Sequence, residues 1–419
     1  MQRGGPRGTI PPPSERRRAG RGWPLQVVVG ILVVGAVYLV MRLVRDDSVT
    51  RRTSDSATLT RYDDQTVSDE QAPVAALPVS AAPPAKVSLE SFGRQLRSAE
   101  ASAIFGEIKV PQNIQAAVSE LRIADAASAL ESRALAQDRD ANVALARLEQ
   151  ACRGEEPDTQ RATDRAHAEV AARASKMPTA MRERIETSIA VRQERIAAMP
   201  KACAQARFDS RAISQRLRDA GATGHEASLW QLGLLADTDA ARRYWLSAAM
   251  LGFVPAQVEL ARSLMFENSS GDRRDRGTMN FWLQAAARSS PEGRLLLGDC
   301  LVNSCNAQPP DFVTAGRVLR EAILLGVAYA PTTLASIPAD DAAAPTEAEL
   351  YSYNSFLQRL NDLGCYGPDL YATNAVNMRD YSQQAEMRLS PSALDEARRT
   401  ADEMWGEHGA QARAAWHCD

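Results

Sequence analysis

The chain has 419 residues, enough for two or three ordinary domains or one extended array. Its 49 basic residues against 52 acidic ones leave a net charge of −3, which excludes the basic footprint of a dedicated nucleic-acid binder. Aromatic residues make up only 5%, alternating β-branched runs are nearly absent, and Ala, Leu, Arg and Glu dominate, so the composition points to helix rather than sheet.

Residues 1–22 are rich in Gly, Pro and Arg and read as a disordered tail. "WPLQVVVGILVVGAVYLVM", Trp23 to Met41, then carries no charge for 19 residues, and a helix of that length spans about 28 Å. No small-x-small cleavage site follows it, so residues 23–44 read as an uncleaved transmembrane anchor rather than a signal peptide. Arg3, Arg7, Arg16, Arg17, Arg18 and Arg21 precede the span, against Arg42, Arg45, Arg51 and Arg52 after it, which places the N-terminus in the cytoplasm. All six cysteines lie after the span, as suits an oxidising compartment. The expected location is therefore a bacterial inner membrane, crossed once, with the bulk of the chain in the periplasm. Residues 45–87, polar and proline-bearing, read as a flexible linker.

From residue 88 the pattern is helical. Ser88 precedes "LESFGRQLRSAEASAIFGE", and Pro111 opens a helix expected to run to about 136. "ANVALARLEQAC" ends at Cys152. After it come "TQRATDRAHAEVAARASK" and, past Pro178, "TAMRERIETSIAVRQERIAAM", two helices of similar length. An antiparallel hairpin of these two returns the chain to its start, which brings Cys203 towards Cys152 and suggests a disulfide. The region 88–224 is thus a helical segment with a long hairpin.

Residues 225–344 repeat. "AARRYWLSAAMLG" places Ala241, Tyr244, Trp245, Ala248, Ala249 and Gly252 along one helical stripe, closed by a glycine suited to a left-handed cap. "TMNFWLQAAARSS" repeats it with Phe281, Trp282, Ala285 and Ala286, and "AGRVLREAILLG" with Ala315, Leu319, Ala322 and Gly326. Positions 249, 286 and 323 are 37 apart each time. A partner helix precedes each stripe: Trp230, Leu232 and Gly233 in "SLWQLG", Ala256, Leu260 and Ala261 in "AQVELA", Leu297 and Gly298 in "EGRLLLG", and "APTTLA" at the end. Two amphipathic helices per unit at a period in the 30s are the mark of an α-solenoid. The aromatic residues of the stripe are expected to pack between neighbouring helices rather than to line a ligand groove.

The small-residue helix, short loop and "A..YW..AA..G" helix resemble the Sel-one-like repeat, a relative of the tetratricopeptide repeat, over about 110 of the 419 residues. An earlier, worn copy of the unit is split between "ANVALARLEQAC" and "AISQRLRDAGATGH", with the long hairpin inserted. The resemblance implies adaptors for signalling, polysaccharide export or cell-wall machinery. The expected fold is therefore all-α: an α-solenoid of helix-turn-helix repeats with an inserted helical hairpin, plus one N-terminal transmembrane helix.

Residues 345–419 continue as helices and are expected to cap the solenoid, with Cys365 and Cys418 stapling the tail back. Cys365, His408, His417 and Cys418 lack the C-x-x-C pair of a zinc site, and Cys300 and Cys305 suit a local bridge. Four histidines stand in no catalytic setting, there is no G-x-S-x-G, and neither Glu292 nor Glu321 sits in a motif of a sugar-cleaving enzyme. The chain reads as a non-enzyme without cofactor, metal, nucleic acid or small-molecule substrate. Its expected role is a protein-interaction scaffold for envelope proteins, held at the inner membrane by its anchor. The alternative is a hydrolase or binder acting on peptidoglycan or polysaccharide, for which a carboxylate trapped at the bottom of a cleft would be the sign.

Overall fold

The computed structural model describes residues 88–418 apart from 155–156, 175–176, 270–275 and 306–308. The expected tail, anchor and linker lie outside the described residues, and no helix among those described is long and apolar enough to cross a membrane.

Among the described residues there are α-helices and no strands. In chain order they are α1 Leu89–Phe105, α2 Gln112–Ser119, α3 Ile123–Leu135, α4 Arg139–Cys152, α5 Pro157–Ala174 and α6 Thr179–Ala204. Then follow α7 Ser210–Ala222, α8 Glu226–Leu235, α9 Thr238–Met250, α10 Val254–Ser269, α11 Arg276–Ser289 and α12 Pro291–Asn303. The last are α13 Phe312–Leu324, α14 Ala330–Leu334, α15 Glu347–Asp362, α16 Gly367–Arg388 and α17 Pro391–Ala415.

Short side-chain oxygens start many of these helices. Ser88, Asp138, Asp209, Asp237, Ser290, Asp311, Thr346 and Ser390 each accept a hydrogen bond from the backbone N–H three residues on, satisfying a donor the helix leaves free. Gly252 and Gly326 end α9 and α13 with φ of +93° and +88°, a conformation that costs glycine little.

The helix expected from Pro111 to about 136 is two helices. Leu121, at φ +57°, turns the chain between α2 and α3. The break lets Ile114 and Val118 on one side, and Ile123 and Leu130 on the other, enter a single core.

From α8 to α14 each helix packs on the next. The pairs α8/α9, α10/α11 and α12/α13 build an array, with Leu260, Leu264, Trp282 and Leu283 buried between its members. Across the insertion α4 packs on α7, where Asn142 Nδ2 donates to the Ile213 carbonyl and Asn142 Oδ1 accepts from Arg216 Nε at 2.9 Å. Cys152 is disulfide-bonded to Cys203, with Cα atoms 5.5 Å apart at the base of the hairpin α5/α6.

At the other end, α14, α15 and α17 cover the last repeat, and a disulfide ties Cys365, after α15, to Cys418. The contacts of α16 go beyond a cap. It packs against α1, α5 and α6, far back in the chain. Phe92 and Tyr371 meet edge to face with ring centroids 4.8 Å apart, Ser188 Oγ donates to the Pro368 carbonyl at 2.9 Å, and Arg173 pairs with Asp380. Val170, Ile185, Ala375 and Val376 complete this fourth core. The inserted hairpin and the C-terminal helices therefore close the array on itself. Residues 88–418 belong to one compact unit, although the composition reads as three successive segments.

Candidate functional site

Closure leaves a cavity of about 440 Å³ on the inner side of the array. The first helix of each of four successive pairs supplies one wall: Arg147 from α4, Trp230 from α8, Val258 and Glu259 from α10, and Pro291 and Glu292 from α12. The facing wall is α1 from Ala99 to its C-terminal turn, the α15–α16 turn with Tyr366 and Pro368, and Trp416 and His417 after α17. Elements more than 300 residues apart in sequence thus meet around one space, as ligand sites in other proteins do at domain and repeat junctions.

Two features fix this wall. Tyr366 donates its hydroxyl hydrogen to the Gly326 carbonyl at 2.7 Å and Trp416 Nε1 donates to the Leu325 carbonyl at 3.1 Å, so both aromatic rings are held by the end of α13. The two rings pack edge to face, 5.0 Å between centroids. Gly326 is bound into the same corner, because a Cβ there would stand 2.7 Å from the Trp416 indole nitrogen.

On the opposite wall Arg147 lies with its guanidinium 4.8 Å from the Trp230 ring centroid. Its Nε donates to the Ile104 carbonyl and its Nη2 to that of Ala103, in the last turn of α1. Burial with no compensating charge lowers the Arg147 guanidinium to about 10.

Three carboxylates around the cavity are engaged, and a fourth, Glu107, is exposed on its rim. Glu100 pairs with Arg195 of α6 at 2.8 Å. Glu259 and Glu292 share Arg262, the first at 2.6 Å. Burial acts to lower that guanidinium, but hydrogen bonds and charge from both glutamates outweigh it and hold it above its ordinary value. Glu321 accepts from Arg294 and Arg317 on the outside. No group of three or more His, Cys, Asp or Glu suited to a metal is found among the described residues.

A second groove, about 650 Å³, lies between α11, α12 and α13 and is lined by Arg288, Arg294, Arg317 and Glu321. It is the larger of the two, but only neighbouring helices form it, and Glu321 neutralises part of its charge. We favour the inner cavity because it exists only in the closed array and carries three aromatic rings.

The residues marked in the sequence as repeat core occupy several environments. Leu232, Ala241, Ala248, Ala249, Ala256, Leu260, Ala286, Ala315, Leu319 and Ala322 are buried, as are Trp230 and Trp282. Tyr244 and Trp245 are half-buried, as are Ala285 and Leu297. Gly233 and Gly298 face large partners: a Cβ on either would stand 2.3 Å from Trp245 Nε1 or 2.5 Å from Leu319 Cγ. Phe281 is a correction. It is 62% exposed and only leans on the edge of Trp282, because its place at the margin of the stripe has no covering neighbour among the described residues. Cys300 and Cys305 are bonded to each other at the end of α12.

Trp230 alone of the repeat-core residues reaches the cavity wall, where Glu292, Cys365 and His417 of the sequence reading also stand. Arg147, Glu259, Tyr366 and Trp416 escaped the sequence reading. Arg147 had a signal, a lone charge within "ANVALARL", whose other members are buried apolar residues apart from the buried Asn142.

No family model matches the chain, and no curated protein matches it. Among solved structures it is similar to a protective antigen of uropathogenic Escherichia coli strains displaying an SLR fold. The identity is 15% and the TM-score 0.41, over 71% of this chain and 58% of the other.

Proposed function

We propose that this protein is a scaffold of the bacterial envelope, built from Sel-one-like repeats and tethered to the inner membrane, and that its inner cavity receives a segment of a partner protein. The observation that carries this is the convergence of four first helices and the closing α15–α17 module on one partly apolar space with fixed aromatic walls. Repeat arrays use their inner surface in this way because each unit adds one helix to a continuous wall. The anchor and periplasmic placement rest on the uncharged span and the Arg distribution of the sequence.

The glycan-acting alternative looks for a trapped carboxylate free to do chemistry. Glu100 and Glu292 at the cavity are each held by an arginine, which favours the scaffold reading.

In-cell crosslinking of the full chain followed by affinity capture tests the proposal. A single saturable envelope partner is expected, lost on Ala103→Trp, which fills the cavity from an exposed wall position without touching the core. Capture unchanged by that substitution would remove the cavity from the function, and muropeptide release by the intact protein would install the alternative.

A further inference from the structure

The cavity is electrically polarised. At one end stands Arg147, which no carboxylate among the described residues reaches. A guanidinium carries five N–H donors. The carbonyls of Ala103 and Ile104 take two of them, and the Trp230 face covers one side of the plane. Carbonyls and an aromatic face orient a cation but leave its charge uncancelled. A desolvated charge without a counterion is costly, and an incoming anion relieves that cost.

At the other end the balance is reversed. Glu259 and Glu292 share the single charge of Arg262, which leaves one negative charge in excess. Between the two ends the wall is largely apolar, with Val258, Pro291, Tyr366 and Trp416. A volume of about 440 Å³ suits a few residues of extended chain, not a folded domain.

A simple cation would meet Arg147, and a simple anion would meet the glutamates. A ligand with a carboxylate at one end and a cation further along satisfies both. Among protein segments a free C-terminus supplies the first, and arginine forks recognise carboxylates through paired hydrogen bonds. We propose that the cavity binds the free C-terminus of a partner chain, Arg147 taking the terminal carboxylate and the Glu259–Glu292 pair taking a basic side chain shortly before it. The proposal rests on the reading that the cavity is the scaffold's binding site, and gives that site its ligand class.

The test uses full-length protein in detergent micelles and fluorescein-labelled tetrapeptide pools with lysine at one of the three positions before the last. One pool ends in a free acid and its twin in an amide, and binding is read by fluorescence polarisation. The acid pool is expected to bind at least about tenfold more tightly, the scale of one charge-assisted hydrogen bond. Arg147→Gln should bring the acid pool to the level of the amide pool. Arg147→Lys, which keeps the charge but loses the fork, should fall between and guards against a folding defect. Glu292→Gln should weaken the lysine pools and leave a norleucine pool unchanged. Equal binding of acid and amide, an acid preference that survives Arg147→Gln, or no binding of either pool up to about 5 mM would each overturn the proposal. If Ala103→Trp still abolishes partner capture while acid and amide bind alike, the cavity remains the binding site and only the C-terminus falls. If capture ignores Ala103→Trp, both readings fall.

Discussion

Gly233 and Gly298 show why the repeat asks for a small residue at this position of its first helix. The Trp245 ring lies where a Cβ on Gly233 would be, and Leu319 lies where one on Gly298 would be. Helix propensity alone would favour alanine at both. The prediction is that Gly233→Ala and Gly298→Ala each lower stability by about 1–3 kcal/mol, through overpacking. Gly406→Ala, within α17 and facing open space, should instead raise it by roughly 0.5–1 kcal/mol. Urea unfolding of the three variants decides this, and equal shifts would refute the packing argument. The small residue was legible as a pattern, but its partner was not. Phe281 marks the same boundary from the other side. Positions 244, 281 and 318 are 37 apart, yet Tyr244 is half-buried, Phe281 exposed and Val318 buried. At the edge of a stripe, burial depends on what the neighbouring helices bring, and the stripe itself does not encode that.

Among the elements, the joints carry the testable energetics. Glu349 at the start of α15 accepts from Arg320 of α13 at 2.6 Å and from the Tyr353 hydroxyl at 2.8 Å, linking the terminal helices to the last repeat. Burial acts to raise this carboxyl, but the bonds from Arg320 and Tyr353 outweigh it and hold it below its ordinary value. A group depressed on folding contributes stability above its unfolded pKa, near 4.3, and loses it as pH falls through the folded value. Glu349→Gln should therefore destabilise at pH 7, and the difference from wild type should shrink as pH falls below the unfolded value, near 4.3. A gap independent of pH in thermal melts would mean the charge is irrelevant. The disulfides brace the other joints. Cys152–Cys203 and Cys365–Cys418 span 51 and 53 residues, and replacing either pair by alanine should cost about 4 kcal/mol, against about 2 for Cys300–Cys305 with its separation of 5. Denaturant midpoints of the three double variants check the order. The hairpin that brings Cys203 back to Cys152 could be read from helix lengths and Pro178. The break at Leu121 could not, because a leucine at positive φ leaves no mark on a helical pattern.

For the whole molecule, closure is the decisive property. An open solenoid transmits a local defect only to its neighbours, because each unit touches only the next. Here α16 joins α1, α5 and α6, so the two ends share a core. Phe92→Ala removes the fully buried ring under Tyr371 and should cost about 3–5 kcal/mol. Amide exchange should then rise in α16 as well as in α1 and α6. Protection of α16 left at the wild-type level would show that the array is open in solution. The sequence by itself determined the helical class, the period of 37 and most of the side chains that the repeat stripes bury. These follow from spacing and turn chemistry within a few tens of residues. Only the tertiary structure decided that the inserted hairpin meets the C-terminal helices, and that Arg147, Trp230, Tyr366 and Trp416 surround one cavity. The physical reason is that an amphipathic stripe specifies what must be buried without naming the surface that covers it. At the ends of an array, that surface comes from chain far away in sequence.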